Sequence, residues 1–315
     1  MPRVSLVIAT WNRRSDLYRT LVDYQRQTYR DFETIVVDNG STDGTADMVA
    51  QTFPDVQLIR LEQNTGIAGY NTGITHAAGE FIVVSDNDSS LEHDGIRKLV
   101  EKFDRFPRVA IIACEVVEGP GGTIYDWYLR AVDRSHPPDD GYPSHLFIGA
   151  GAGFRKRVLD EVGLYPEEFF MYMNEVDLAT RVLAAGHDVR FCPDIQTYHR
   201  HSETGRSRDL NRYYAFRNTI WYYWKYLPVS VAFGRCLIRV PFDVVSGLLL
   251  GTSPLALGRA LGAAIIGLPR ILRSRQPVPS ALVRRVLGGR SELATLYGVV
   301  HEWLRRKRQV SPGRR

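Results

Sequence analysis

Along its first hundred residues the chain alternates between short apolar-rich runs and longer amphipathic stretches. Residues 4–9 (VSLVIA), 32–37 (FETIVV), 56–61 (VQLIRL) and 81–84 (FIVV) have the length and content of strands. The continuous apolar run 4–9 is expected of a parallel strand covered on both faces, and 32–37 reads as a second buried strand. Between them, Leu17, Leu21 and Tyr24 recur at helical spacing behind Ser15 or Asp16, one of which is expected to cap the helix. Residues 45–52 predict a second helix. Residues 64–79, with Gly66, Gly69, Gly73 and Gly79, read as a loop leading into a short helix. Strands alternating with helices predict a parallel sheet with right-handed crossovers. Ligands on such sheets bind at the carboxyl ends of the strands.

Beyond residue 108 the pattern loosens. Residues 109–113 are strand-like, and 120–142, rich in Gly, Pro and Asp, read as a loop region. Residues 147–154 carry Gly149, Gly151 and Gly153 among small apolar residues. Residues 175–185 are helical, with Gly186 just past the end as a C-cap requires. Residues 213–226 (YYAFRNTIWYYWKY) predict an aromatic helix. The stretch 244–258 holds 15 residues without a charge, between Asp243 and Arg259, and is broken by Pro254. A membrane-spanning helix needs about 20 apolar residues, so this run is too short to cross simply. Arg235, Arg239, Arg259, Arg270, Arg273 and Arg275 recur among Leu, Ile and Val, the composition of helices lying in a membrane interface.

Charge sharpens that division. The net +5 conceals 15 Lys+Arg against 3 Asp+Glu in residues 227–315, and 25 against 32 in residues 1–226. An acidic body with a basic tail, including Arg305-Arg306-Lys307-Arg308 and Arg314-Arg315, implies an anionic partner for the tail. Interleaving with aliphatic residues favours an anionic membrane surface and no nucleic acid. Three cysteines without a CxxC exclude a disulfide framework or zinc ribbon and fit a reducing compartment. The N-terminus lacks a charged segment followed by a long apolar run, so no signal peptide is expected.

Two loops then carry candidate chemistry. Asp86 and Asp88, one residue apart at a strand end, present oxygens to one hard cation such as Mg²⁺ or Mn²⁺. A bare pair of this kind is also common as a solvated helix cap, but Asp38 lies at the end of a neighbouring predicted strand, in DNGSTDGT. The two loops are therefore expected to open on one crevice. An Asp38 carboxylate there accepts from a base N–H or a ribose hydroxyl, while Asn39, Ser41 and Asp43 read as local Asx-type turns. Glu175 opens a helix after FFMYM, where it is either a capping carboxylate or a general base. Asp177 points to another helix face. His199 and His201 share a strand face, a weak metal-site hint.

Together the strings VSLVIATWNR, VVDNGSTDGT, NTGIAGYNTGI, FIVVSDNDSS, FFMYMNEVDLATRVLAAGHDVRF, HRHS and YYAFRN, in this order over residues 3–226, resemble the family 2 glycosyltransferases, including rhamnosyltransferase-like bacterial members. The resemblance implies an α/β GT-A fold, a mostly parallel central sheet flanked by helices. A catalytic domain over 1–226 would be followed by a basic amphipathic helical region over 227–315, associating with membrane. It implies transfer, with inversion, from a nucleotide-diphosphate sugar to a glycan or lipid-linked acceptor. Asp38 would bind the base, Thr10 and Arg13 would line the nucleotide pocket, and Asn64 and Gly66 would lie close to the donor. Asp86 and Asp88, with His199, would hold Mn²⁺ or Mg²⁺; Asp88 is the more direct ligand and Asp86 lies nearer the sugar. Glu175 would be the base, although the family more often has Glu-Asp where this chain has Asn174-Glu175. The expected location is cytoplasmic, on the inner face of the membrane. The rival readings are a metal-dependent nucleotidyltransferase and a non-catalytic membrane- or nucleic-acid-binding module. The lack of GxGxxG after the first strand disfavours a dehydrogenase.

Overall fold

A computed structural model describes residues 1–119, 122, 132–200 and 207–287. His201, residues 120, 121 and 123–131 of the 120–142 loop, and the Arg305–Arg308 cluster lie outside the described residues. Contacts group the described residues into two compact units: those within 1–170 and 174–200, and those within 171–173 and 207–287.

The first unit opens with β1 (Val4–Thr10), α1 (Arg14–Gln25), β2 (Phe32–Asp38), α2 (Thr45–Thr52), β3 (Gln57–Arg60), α3 (Ala68–His76) and β4 (Phe81–Asp86). It continues through β5 (Ser89–Leu91), α4 (Gly95–Arg105), β6 (Val109–Val117), β7 (Tyr142–Pro143), β8 (Ala152–Arg155), α5 (Lys156–Val162), α6 (Asn174–Ala184) and β9 (Asp188–His199). The sheet runs β3-β2-β1-β4-β8-β6-β9-β5, with β7 also on β9. It is parallel from β3 to β4 and mixed beyond, because β8 pairs antiparallel with both β4 and β6. β6 and β9 pair parallel, so both point the same way as β4. Every residue of β6 is buried, as a strand covered on both faces must be. Leu17, Leu21 and Tyr24 of α1 and Ile96, Leu99 and Phe103 of α4 pack with β1, β4 and β6 in one apolar cluster.

The register sets the site. Thr10 lies opposite Asp38, and Ala9 opposite Asp86, so three adjacent parallel strands end at one level. β9 ends on that same edge, at His199.

Two local expectations change. α1 begins at Arg14 without a side-chain cap from Ser15 or Asp16; the Arg14 N–H donates instead to Asp43 Oδ2 at 3.2 Å. A tertiary partner thus satisfies a helix-start N–H that sequence assigned to a local cap. β9 is a 12-residue strand that periodicity does not reveal. Its pairing with β6 slips between Cys114↔Cys192 and Glu115↔Gln196, and the bulge, which contains Pro193, breaks the alternation.

The second unit is helical: α7 (Arg208–Tyr226), α8 (Val229–Leu249), α9 (Pro254–Arg273) and α10 (Ser280–Val286). Ser207 caps α7, accepting from Leu210 N. Trp221 of α7 donates to Ala264 O at 3.0 Å. At Gly267 an added Cβ would meet the Trp221 ring at 2.3 Å, so the α7–α9 approach requires glycine there. The uncharged stretch 244–258 straddles the end of α8 and the start of α9. Pro254 starts a helix behind the Ser253 cap rather than ending one. Among the described residues α9 is the one helix long and apolar enough to cross a membrane, with a mean hydropathy of 1.5 over its best window.

Candidate active site

Asp38 is the last residue of β2. Its Oδ2 accepts from Ser41 N at 3.1 Å, while Oδ1 is buried with no partner. A buried carboxylate oxygen without a donor is costly unless a ligand supplies one. Thr10, buried beside it at the end of β1, accepts through Oγ1 from Asn87 Nδ2 at 3.2 Å. Asn87 O accepts in turn from Thr20 Oγ1 at 2.9 Å, so Asn87 braces the turn between the two aspartates. Arg13 precedes α1 and approaches Asp16 at 3.6 Å. Asn64 Oδ1 accepts from Gly66 N at 2.9 Å.

Asn39 does not make the local turn that sequence assigned to it. Its Oδ1 accepts from Thr65 Oγ1 at 2.9 Å and its Nδ2 donates to Gly66 O at 3.3 Å. It therefore ties the 64–66 loop to the end of β2. Ser41 also reaches across the chain, accepting from Asn12 N at 2.8 Å. Asp43 does form the local bond, accepting from Thr45 N at 3.0 Å.

Asp86, Asp88 and His199 bring their ligand atoms within 4.8 Å of one another. His199 Nε2 lies 3.2 Å from Asp88 Oδ1. Burial would lower the imidazole pKa, but the hydrogen bond to Asp88 and the charges of Asp88 and Asp86 overturn that, and the net shift is upward. Two carboxylates and an imidazole are a donor set that suits a divalent cation accepting oxygen and nitrogen, so these residues fit one. Tyr70 fixes Asp86: its hydroxyl donates to Asp86 Oδ1 at 3.0 Å, with Ser85 O at 3.1 Å. The backbone of Asp88 is held by Arg200 N, which donates to Asp88 O at 2.8 Å.

Glu175 stands in the first turn of α6. A Cβ added to Gly149 would lie 3.5 Å from Glu175 Oε1 and 3.7 Å from Asp86 Oδ1, so both carboxylates flank one glycine. Asp177, fully buried, pairs with Arg181 at 2.9 Å; Arg181 also donates to Gly163 O at 2.7 Å. That pairing leaves Asp177 a structural task, as its helix face implied. Asn174 is buried, with Oδ1 unpartnered. Before α6, Phe170, Tyr172 and Met173 all take positive φ, at 62°, 63° and 63°. Such values cost energy in non-glycine residues and persist where the surroundings impose them. In the second unit Asn218 Nδ2 donates to Met171 O at 2.7 Å and Tyr172 O at 3.0 Å. Arg217 Nε donates to Asn218 Oδ1 at 2.9 Å and lies over the Trp221 ring at 4.2 Å. Those bonds give the RN pair a physical task.

Sequence reasoning did not single out Tyr70, Asn71 or Tyr165. Asn71 Nδ2 donates to Tyr165 O and its Oδ1 accepts from Tyr165 N, both at 2.9 Å. The available signal was a polar Asn on the buried face of a short helix.

The order of strands and the acidic strand ends define a GT-A type of sugar-transferring enzyme. The family described as "Glycosyl transferase family 2" matches residues 5–163. The chain belongs to that family and is a glycosyltransferase. It is 25% identical over 241 residues to an N-acetylglucosaminyl-diphospho-decaprenol L-rhamnosyltransferase of Mycobacterium tuberculosis, covering 64% of this chain and 77% of that one. It is 34% identical over 184 residues to a GalNAc(5)-diNAcBac-PP-undecaprenol beta-1,3-glucosyltransferase of Campylobacter jejuni, covering 56% and 59%. A solved structure of the mannosyltransferase PcManGT from Pyrobaculum calidifontis, in complex with GDP-Man and Mn²⁺, aligns with a TM-score of 0.58 at 22% identity, over 92% of this chain and 88% of that one.

Proposed function

We propose that this glycosyltransferase moves a sugar from a nucleotide-diphosphate donor to a hydroxyl of a lipid-linked glycan, with inversion at the anomeric carbon. The convergence of Asp86, Asp88 and His199 within 4.8 Å, with Glu175 on the other side of Gly149, carries this reading. Asp38, through its unpartnered oxygen, accepts from the nucleotide base. Thr10 and Arg13 line the nucleotide pocket, and the Asn64–Gly66 loop closes on the donor. Asp88 and His199, with Asp86, hold Mn²⁺ or Mg²⁺, which when bound supplies Lewis-acid neutralisation of the diphosphate leaving group.

Glu175 takes the proton from the acceptor hydroxyl as that oxygen attacks the anomeric carbon. Attack comes from the face opposite the diphosphate, so one displacement inverts the configuration and no covalent intermediate forms. In this reading the catalytic domain is the stretch over 1–226 and the basic helical region over 227–315 lies on the inner face of the cytoplasmic membrane. Support for a lipid-linked acceptor comes from two relatives whose names carry polyprenol diphosphates. It also comes from exposed Leu237 in α8 and from exposed Ile265 and Ile266 in α9, a helix that carries exposed Arg259, Arg270 and Arg273. The test is Glu175→Gln, which retains donor binding and lowers turnover by two to four orders of magnitude, on the order of a general base's contribution. Near-parental turnover in that variant removes the assignment.

A further inference from the structure

We propose that the Tyr165 hydroxyl donates a hydrogen bond to the sugar being transferred, which rests over Gly149 between the Asp86 and Glu175 carboxylates. The inference rests on the reading of that site given above, and it adds a substrate-binding residue to it. Three observations carry it. First, the Tyr165 ring is buried and tightly held. Asn71 grips its backbone through two 2.9 Å hydrogen bonds, and its ring packs on Tyr70 at 5.9 Å and Phe147 at 6.3 Å between centroids. The side chain is therefore fixed in place before any ligand arrives.

Second, the hydroxyl makes no hydrogen bond among the described residues. Buried tyrosines ordinarily find a partner for that group. The ring is fixed and buried while the hydroxyl oxygen keeps some accessible surface, so a ligand can reach the unused donor.

Third, its surroundings are those of the reaction centre. Burial, followed by the charges of Glu175 and Asp86, raises the phenol pKa well above its ordinary value. The phenol is a donor in its ordinary protonated form, and geometry brings its ring to the site: it packs on Tyr70, whose hydroxyl is bonded to Asp86. Its neighbour Tyr70 spends its own hydroxyl on Asp86 at 3.0 Å, so the two tyrosines divide their tasks. Tyr70 positions the carboxylate, and Tyr165 is left to face the ligand. At Gly149 no side chain stands between the two carboxylates, whose oxygens lie 3.5 and 3.7 Å from where a Cβ would be. A pyranose offers hydroxyls and a ring oxygen, all acceptors for such a donor.

The test is Tyr165→Phe, which removes one oxygen and keeps the ring. Binding is measured by calorimetry with Mn²⁺, using UDP-glucose, UDP-N-acetylglucosamine, GDP-mannose and dTDP-rhamnose, each beside its own nucleoside diphosphate. For the nucleotide sugar that the parent binds, the variant loses about tenfold in affinity, the value of one good hydrogen bond. Its affinity for the matching nucleoside diphosphate and its Tm remain at the parental values. Equal losses for sugar nucleotide and diphosphate, a lowered Tm, or no loss at all would overturn the inference. Loss of turnover in Glu175→Gln alongside an unaffected Tyr165→Phe removes the tyrosine alone. A parent that binds none of the sugar nucleotides removes the underlying reading with it.

Discussion

Buried asparagines hold irregular backbone in both units. Asn39 ties the 64–66 loop, Asn71 grips Tyr165, and Asn218 carries the carbonyls of Met171 and Tyr172. An amide offers donors and an acceptor from one flat group, so it can replace the ladder bonds that irregular backbone lacks. Removing it leaves buried carbonyls unpaired. Asn218→Ala is expected to cost about 1–3 kcal/mol, read from urea denaturation; a midpoint equal to the parent's would contradict the clamp. These tasks were not legible in the sequence. Asn39 looks like a turn residue because its neighbours are turn formers, and its actual partners lie 26 and 27 residues away. The carboxylates were legible, because Asp38 and Asp86 follow apolar runs whose register then aligns them.

At the scale of elements, glycines separate steric from conformational demands. Gly186 ends α6 with φ +85°, and nothing lies within 4 Å of an added Cβ. Gly66 also takes a positive φ, +62°, but an added Cβ there would meet Phe170 O at 2.4 Å. Gly186→Ala is expected to cost about 1–2 kcal/mol, the left-handed penalty alone. Gly66→Ala costs more and also weakens donor binding, because it forces apart the 64–66 loop and the segment before α6. Denaturation midpoints for the two variants check the order; equal losses would contradict it. The strands β1, β2 and β4 and their helices were readable from period and run length, because each is regular and carries its own run of buried apolar residues. β9 was not, since its bulge breaks the period. The start of α1 was misplaced because Asp43, distant in sequence, supplies the partner that a local cap was expected to give.

Over the whole molecule, the acidic first part and the basic, apolar-faced helices imply different surroundings. In α8 and α9, Phe233, Leu237, Ile265 and Ile266 are exposed, Ile266 at 83%. α9 carries Arg259, Arg270 and Arg273 and no acidic residue. Such faces bind an anionic interface by apolar burial and charge together. The full chain is expected to sediment with phosphatidylglycerol vesicles at low salt, and Ile266→Glu is expected to weaken this several-fold. Failure of the parent to bind at low salt would contradict the membrane assignment. The charge split raises this expectation in the sequence; the helix boundaries, with Pro254 opening α9, needed the structure. The proposed metal-dependent donor site is tested most directly by calorimetry of the nucleoside diphosphates with and without Mn²⁺. The site described here predicts binding that requires Mn²⁺ in the parent and is lost in Asp88→Ala. Equal affinity with and without the metal in the parent would contradict it.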